Sequence, residues 1–247
     1  IYSQILKVVN TVQYRGEGES RITSLDDAMQ RLGLEKVKRI ALNTSVLTLF
    51  NGNQFTNHFS PDTLWTHSVG VAVASASLAD FLRFPMSDQA YSCGLIHDIG
   101  KLAKLKYDPQ NFCEELNKAN ELGLSNFHTE MTHHKIRHDL LGAQIANAWG
   151  ISPLVEAVAK WHHEEDRSKR TDIDDPDTHK LIDIVQFSNS LINEMKFGNS
   201  GHSKTEIPSP PIMRRLKMSE DELEEFEEKL KIELEREKEQ ISLLNKK

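Results

Sequence analysis

The chain has 247 residues, of which 38% are hydrophobic and 27% are charged. Its 37 Asp and Glu residues outnumber its 30 Lys and Arg residues, which gives a formal net charge of −7. Nucleic-acid binding relies on an excess of basic side chains that neutralise phosphates, so this acidic balance argues against a general nucleic-acid surface. No apolar run approaches the roughly 20 residues that cross a bilayer, and only two cysteines occur, so we expect a cytoplasmic protein without a membrane segment or a disulfide.

The first fifty residues predict three amphipathic helices. Their apolar residues recur every three or four positions, which places each set on one face of a helix. The three sets are Ile5, Leu6 and Val9; Leu25, Ala28, Met29 and Leu32; and Val37, Ile40, Ala41, Thr44 and Leu47. Ser24 and Asp27 resemble an N-cap opening, and Gly33 ends the second helix. Because the chain starts at Ile1, already inside the first helix, we expect a piece of a longer protein or a chain without its first residues.

A polar stretch, Asn51–Pro61, separates this block from six further predicted helices. These span about Asp62–Leu82, Ser87–Leu105, Gln110–Leu122, Arg137–Trp149, Leu154–His163 and Thr178–Met195. Strand signals are weak throughout. The charged segment Glu164–Asp177 predicts an exposed loop, and Gly198–Pro211 predicts a linker or turn.

The tail, Ser219–Leu244, predicts one amphipathic helix that opens with a capping box formed by Ser219 and Glu222. Its many Glu and Lys residues leave open a partner-binding helix or a coiled coil. A terminal helix that packs on its own domain with a solvated outer face is the favoured interpretation.

A histidine stands beside an aspartate, His97 and Asp98, in an otherwise apolar predicted helix. Burying two such groups is costly unless both are satisfied. An imidazole nitrogen and a carboxylate oxygen are common ligands of Zn, Fe or Mn, and adjacent residues of a helix can both reach an ion between their side chains. Lys101 lies four residues after His97 and shares its face. A His-Asp pair alone is weak evidence, but it marks a candidate metal site.

Further histidines at helix positions strengthen this interpretation, namely His67, His138, His162 and His163. A single histidine is more often a hydrogen-bonded core or surface residue than a ligand. Several such residues flanking one His-Asp pair are harder to explain in that way. The remaining histidines lie in polar or loop-like contexts and receive no role: His58, His128, His133, His134, His179 and His202.

The order of these residues resembles the HD superfamily of metal-dependent phosphohydrolases. It resembles more closely the HDOD domain, the HD-related output domain of bacterial signalling proteins. The residues in question are His67, His97-Asp98, Lys101, His138 and His162-His163. The resemblance includes the N-terminal segments Ile5–Asn10, Ile22–Ala28 and Val37–Leu42, so it covers nearly the whole chain. It implies an all-α, HD-domain-like helical bundle. Residues 1–60 would form the N-terminal helical part, 61–200 the HD-like core with the His/Asp site, and 201–247 a linker and the C-terminal amphipathic helix.

The resemblance also implies roles for individual residues. In HD enzymes a first His, the His-Asp pair and a distal Asp hold one metal, which corresponds here to His67, His97 and Asp98. Lys101 occupies the position of a lysine that helps to orient or neutralise phosphate. Ligands of a second metal in binuclear relatives, such as HD-GYP cyclic-dinucleotide phosphodiesterases, correspond to His138, His162 and His163. The implied cofactor is a divalent transition metal (Fe, Mn, Zn or Ni), although a site without metal stays open.

At the distal position this sequence has Asn189 in place of aspartate. A neutral amide can coordinate through its oxygen, but it lacks the negative charge that helps to hold a divalent ion. Asp183 is no simple substitute, because six helical residues turn its side chain about 120° away. The segment Glu164–Thr171 also lacks the Gly-Tyr-Pro loop that follows the histidine pair in HD-GYP enzymes.

Two hypotheses of different class follow. The favoured one is a bacterial signal-transduction domain that is non-catalytic or weakly catalytic, retains a pocket for metal or phosphate and acts through signalling protein partners. The alternative is an active metal-dependent phosphohydrolase or phosphodiesterase whose substrate is a nucleotide or cyclic dinucleotide. No serine or cysteine with a paired base is apparent, so we expect no covalent catalysis.

Overall fold

A computed structural model describes residues 2–11, 20–50, 59–133, 136–204 and 207–245 of the chain. Within these ranges the regular structure is helical and no β-strand occurs, which confirms the all-α prediction. The chain divides into two compact units, one formed by Ile1–Asn51 with Glu235–Lys247 and the other by Gly52–Leu234. The three-part division by residue number stays a prediction. None of the described helices combines the length and the apolar composition needed to cross a membrane.

The first unit contains helices α1 (Tyr2–Val9), α2 (Leu25–Leu32) and α3 (Leu34–Phe50). Residues of their predicted apolar faces form a small core together with two residues that were not predicted, Val8 and Ile22. The predicted members of this core are Ile5, Val9, Ala28, Val37 and Ile40. The Ser24 side chain accepts a hydrogen bond from the Asp27 backbone N–H and caps α2. Gly33 ends that helix with φ +86°, a conformation that favours glycine. The polar stretch predicted over Asn51–Pro61 lies largely outside the described residues.

The remaining helices are α4 (Pro61–Phe81), α5 (Ser87–Ile96), α6 (Ile99–Tyr107), α7 (Pro109–Leu122), α8 (Asn126–His133), α9 (His138–Ala148), α10 (Pro153–Trp161), α11 (Pro176–Glu194), α12 (Pro210–Leu216) and α13 (Glu220–Asn245). Helix α4 is buried along most of its length and packs against α5 and α11. A helix that is apolar on all sides belongs in the middle of a core. Its start is fixed by a capping box between Ser60 and Thr63, with Pro61 in the first turn.

The single helix predicted over Ser87–Leu105 is wrong, because the structure has two helices that meet at His97 and Asp98. Tertiary contacts on each side of the break account for it. A Cβ atom on Gly94 would lie 2.8 Å from the Val71 carbonyl oxygen of α4, and one on Gly100 would lie 1.9 Å from the His138 carbonyl oxygen of α9. Each glycine lets its helix approach another backbone closely, and the chain changes direction between the two contacts.

Two short helices fall outside the predicted ones. Helix α8 has no apolar periodicity, because the side chains that it buries are polar: Asn126, Thr129 and Glu130. Helix α12 begins inside the predicted linker, where Ser209 caps it and its prolines occupy the first turn, a position that tolerates proline. The predicted exposed loop, Glu164–Asp177, contains a 3₁₀ turn at Arg167–Lys169 and the fully buried Arg170.

Candidate metal centre

The Asp98 carboxylate lies at the centre of a cluster of imidazole rings. His67 Nε2 and His97 Nε2 lie 4.0 and 3.4 Å from Asp98 Oδ2. His138 Nε2 and His162 Nε2 lie 3.3 and 3.5 Å from Asp98 Oδ1. The ligand atoms form two groups, each within 4.8 Å: His67, His97 and Asp98, and Asp98, His138, His162 and His163. The structure therefore brings the six predicted His and Asp candidates together.

Helix ends position most of these side chains. His97 and Asp98 occupy the break between α5 and α6, and His138 is the first residue of α9. His162 caps the C-terminus of α10, and His163 follows it. A helix end lets successive side chains diverge from the helical screw, so adjacent residues can face one point. This explains how the dipeptides at 97–98 and 162–163 both contribute two side chains to one cluster.

Backbone carbonyls fix the orientation of two of the rings. His97 Nδ1 lies 2.7 Å from the Gly94 carbonyl oxygen, and His162 Nδ1 lies 2.8 Å from the Ala159 carbonyl oxygen. A carbonyl oxygen only accepts, so each Nδ1 must carry the proton. In the neutral ring Nε2 is then left with a lone pair that faces Asp98. This hydrogen bond from the far ring nitrogen is typical of metal-binding histidines.

Several polar atoms at the centre of the cluster are buried without a hydrogen-bond partner. Among the described residues these include both ring nitrogens of His67, Nε2 of His97 and of His162, and Oδ1 of Asp98. Leaving buried polar atoms unsatisfied costs free energy, and such atoms call for an explanation. Nitrogen and oxygen donors converging on one point suit a divalent transition metal, so the residues fit the implied cofactor.

The buried Lys101 ammonium offsets the charge of Asp98. Lys101 Nζ donates to Asp98 Oδ2 at 2.7 Å, and both side chains are almost fully buried. Burial opposes ionisation of Asp98, but the Lys101 ammonium and then His97 outweigh it and hold the pKa of the carboxyl well below its usual range. Burial also works to lower the pKa of His138, but the Glu130 carboxylate raises it to about 9. Burial, followed by the nearby His97, holds the pKa of His67 well below 6.5.

Sequence reasoning missed three residues beside the cluster. Glu130 Oε2 accepts from the backbone N–H of His138 at 3.0 Å and lies 2.6 Å from its Nδ1. Phe127 stacks on His163 with the ring centroids 4.4 Å apart. Burial and the Lys101 charge lower the pKa of His202 to about 4, so this histidine, which received no role, lies close to the site. Phe127 and Glu130 belong to the unpredicted helix α8; their one sequence signal is an aromatic and an acid three residues apart before His138.

Asn189, the predicted distal candidate, forms its hydrogen bond with a residue outside the His/Asp cluster. Its Oδ1 accepts from Asn193 Nδ2 at 3.1 Å, and Asn193 Oδ1 accepts from the Ser200 hydroxyl at 2.7 Å. No hydrogen bond joins the buried Asn189 side chain to the cluster among the described residues. Asp183 instead accepts hydrogen bonds from three arginines, Arg167, Arg170 and Arg215.

The other histidines lie apart from the cluster or outside the described residues. His128 Nδ1 lies 2.7 Å from the Ser125 hydroxyl. His133 Nδ1 contacts the Thr132 hydroxyl, and His179 Nε2 lies 3.1 Å from the Ile173 carbonyl oxygen. His58 and His134 are not among the described residues.

The chain is similar to known proteins along most of its length. The pattern of the HDOD domain matches residues 1–165, a range that includes all six His and Asp candidates and ends before Asn189. Ribonuclease Y of Mycoplasma capricolum subsp. capricolum is 24% identical over 168 residues, which cover 67% of this chain and 27% of that protein. The chain spans 27% to 33% of the length of the three curated relatives that it matches.

Solved structures share the fold. An HDOD domain protein of unknown function from Geobacter sulfurreducens has a TM-score of 0.72 and 19% identity over 99% of this chain and 81% of that one. A candidate signal transduction protein from Marinobacter aquaeolei VT8 has a TM-score of 0.79 and 18% identity over 99% of this chain and 52% of that one. A candidate phosphohydrolase from Shewanella amazonensis SB2B has a TM-score of 0.71 and 18% identity over 98% of this chain and 82% of that one. At such identities the similarity shows the fold alone.

Proposed function

The chain belongs to the HDOD domain family, and we propose that it is a bacterial signal-transduction module whose buried His/Asp cluster binds a divalent transition metal or phosphate with little or no turnover. We place it in the cytoplasm, where signalling proteins would be its partners. The convergence of unpartnered donors on Asp98 carries the proposal. The candidate signal transduction protein from Marinobacter aquaeolei VT8 has a similar fold and supports the assignment.

The donor set indicates which residues would hold the metal. His67 and His97 would bind on the Oδ2 side of Asp98, and His138, His162 and His163 on the Oδ1 side. Imidazole nitrogens with one carboxylate suit Fe, Zn or Ni, and Mn also accepts the carboxylate. When bound, such an ion supplies Lewis-acid polarisation of a phosphoryl oxygen and activation of water.

Three observations favour regulation over turnover. The cluster is almost closed to solvent: His67, His97, Asp98 and the other ring donors are at most 2% exposed, and only His163 is partly exposed. Asn189 supplies no negative charge at the position where HD enzymes have aspartate. Lys101 is the candidate for neutralising phosphate, yet its ammonium is paired with Asp98. A substrate phosphate would have to enter a buried cluster and displace this ion pair.

The alternative function is a metal-dependent phosphohydrolase or phosphodiesterase that acts on a nucleotide or cyclic dinucleotide. Its specific support is that Asp98 belongs to both ligand groups, as expected of a carboxylate between two ions. The fold shared with the candidate phosphohydrolase from Shewanella amazonensis SB2B is consistent with it.

Metal analysis of protein purified without chelator tests the proposed site. We expect about one equivalent or more of a transition metal in the wild type and near-complete loss in His97→Ala and Asp98→Ala, because each change removes a central ligand. His179→Ala is the matched control, since it removes an imidazole that lies outside the cluster. A folded wild-type protein that carries no metal and takes none up would refute metal binding.

Hydrolysis assays separate the two functions. Metal-loaded wild type should hydrolyse bis(p-nitrophenyl) phosphate and cyclic dinucleotides no faster than Asp98→Ala. Turnover that Asp98→Ala abolishes would establish the phosphohydrolase instead. Asn189→Asp should bind metal more tightly than the wild type, because it adds a negative charge. Unchanged affinity would show that residue 189 does not contact the ion.

A further inference from the structure

A pocket of about 660 Å³ lies in the second unit between α6, α7 and α9. Its walls are mostly apolar and are formed by Ala103, Tyr107, Phe112, Ile136, Leu141 and Ile145. The volume is within the range of roughly 300–1,000 Å³ that small-molecule sites occupy, and such sites combine apolar walls with a few polar groups. None of the candidate metal ligands lines this pocket, so it is a separate feature of the fold.

The charged groups of the pocket favour a cation. Lys104, at the pocket wall, directs its ammonium to three acceptors: Glu115 Oε2, Glu130 Oε1 at 2.6 Å and the Ile136 carbonyl oxygen at 2.9 Å. An ammonium has three hydrogens, so these contacts use all its donors and leave none for an anionic ligand. Asp108 and Glu115 also line the pocket. The pocket wall therefore holds one ammonium, two carboxylates and the imidazole of His133, and its formal charge with a neutral imidazole is negative.

One carboxylate connects the pocket to the candidate metal centre. Glu130 Oε1 accepts from Lys104, while its Oε2 accepts from the His138 backbone N–H and lies 2.6 Å from His138 Nδ1. All three side chains are buried. A cation that attracted Glu115 would change the contacts around Lys104, and a movement of Lys104 would change the electrostatic field that Lys104 and Glu130 together produce at His138.

We infer that this pocket binds a small amphipathic molecule with an apolar body and a cationic head, and that its occupancy is transmitted to His138 through Lys104 and Glu130. The apolar walls would enclose the body, and the carboxylates would pair with the head. The inference goes beyond the proposed function, because neither the pocket nor these contacts require a metal. It supplies the module with an input site for a chemical signal.

A matched series of probes tests the binding step on the full chain. The compounds 4-phenylbutylammonium, 4-phenylbutanol and 4-phenylbutyrate share one apolar body and differ in the charge of the head. We expect the ammonium to bind at least about tenfold more tightly than the carboxylate in calorimetric titrations, with the alcohol between them. Equal affinities for the three, or no binding up to millimolar concentration, would overturn the proposal.

Two substitutions locate the binding. Leu141→Trp fills the pocket from a half-buried wall position and should abolish binding of the ammonium probe. Asp108→Asn removes a pocket charge but keeps the N-cap of α7, because asparagine caps as well as aspartate does. It should weaken the ammonium several-fold and leave the alcohol unchanged. Glu121→Gln removes a charge from an exposed position of the same helix that does not line the pocket, and it should change neither affinity.

Histidine-labelled NMR tests the transmission step on metal-free protein. Saturation with the ammonium probe should shift the ring signals of His138, identified by their loss in His138→Gln. The signals of His179, which lies away from Glu130, should stay in place. A probe that binds without moving the His138 signals would refute the connection through Glu130. Because no metal is present, this outcome is independent of whether the cluster binds one.

Discussion

Replacing Gly100 with alanine tests how closely α6 must approach α9 to form the candidate metal centre. A Cβ atom at residue 100 would lie 1.9 Å from the His138 carbonyl oxygen and 2.8 Å from the Gly142 nitrogen. Real Cβ atoms essentially never approach other heavy atoms closer than 3.0 Å. Both obstructing atoms belong to the backbone, so no side-chain rotation can relieve the clash, and the two helices must move apart.

The structure gives the size of the effect. An ordinary contact of 3.4 Å requires a separation of about 1.5 Å between α6 and the start of α9. Overpacking commonly costs about 1–3 kcal/mol, and more where only backbone can move, while alanine offsets about 1 kcal/mol through its helix propensity. We expect the free energy of unfolding to fall by about 2 kcal/mol or more. His138 would move with α9, and since metal–ligand distances tolerate roughly 0.2 Å, metal affinity should also fall.

Urea unfolding followed by circular dichroism measures the stability of Gly100→Ala and of its control, Gly142→Ala. A Cβ atom at residue 142 would find its nearest neighbours at 3.4 to 3.6 Å, which is ordinary contact at the same helix crossing. The control should therefore remain within about 1 kcal/mol of the wild type. Equal stabilities of the two variants would contradict this expectation, because the close approach at residue 100 would then carry no cost.

Three further results are expected. Asp183→Asn leaves the buried Arg170 guanidinium without its carboxylate and should lower the free energy of unfolding in urea by about 3 kcal/mol, whereas Asp166→Asn on the loop should have little effect. Burial opposes ionisation of Asp183, but its arginine partners hold the pKa of its carboxyl below 3.8. The stabilising contribution of Asp183 is therefore complete above about pH 4 and is lost as pH falls through the folded pKa. The wild type should lose stability more steeply below about pH 4 than Asp183→Asn, and equal slopes would contradict this. Burial raises the pKa of the Cys93 thiol to about 12. Iodoacetamide at pH 8 should therefore modify the partly exposed Cys113 first, which peptide mass spectrometry would show. Faster labelling of Cys93 would argue against its burial.

Local signals in the sequence were sufficient where a helix carries its own start, stop and apolar face. Helix α2 follows Ser24 and ends at Gly33, as the capping pattern predicts. The break at residues 97–98 could not be predicted in this way, because apolar residues continue through it. It depends on the approach of Gly94 to α4 and of Gly100 to α9, which are contacts between segments distant in sequence. Helix α8 was missed because its buried face is polar, and hydrophobic periodicity does not detect such a face.

Some residues of the candidate site could be predicted from the sequence, and others depend on contacts between distant segments. The candidate histidines and Asp98 could be selected from the sequence because imidazole and carboxylate groups are common metal ligands and because their order resembles that of the HD superfamily. The structure brings the six predicted His and Asp candidates together, but whether they bind metal stays a prediction. Glu130 could not be selected, since an acid in an unassigned polar stretch is normally exposed. Its role depends on the fold placing it between Lys104 and His138.

The ion pair between Lys101 and Asp98 bears on how the cluster can serve regulation. A buried carboxylate without a partner would oppose folding, but here the Lys101 ammonium lies 2.7 Å from Asp98 Oδ2 and compensates the charge without a metal. We therefore expect the fold to form without an ion, in contrast to small domains whose structural zinc is needed for folding. A cation that bound as proposed would compete with Lys101 for the same carboxylate. Binding would change the partners of Asp98 and Lys101 together, and a change of partners at a preformed buried site is what a regulatory module requires.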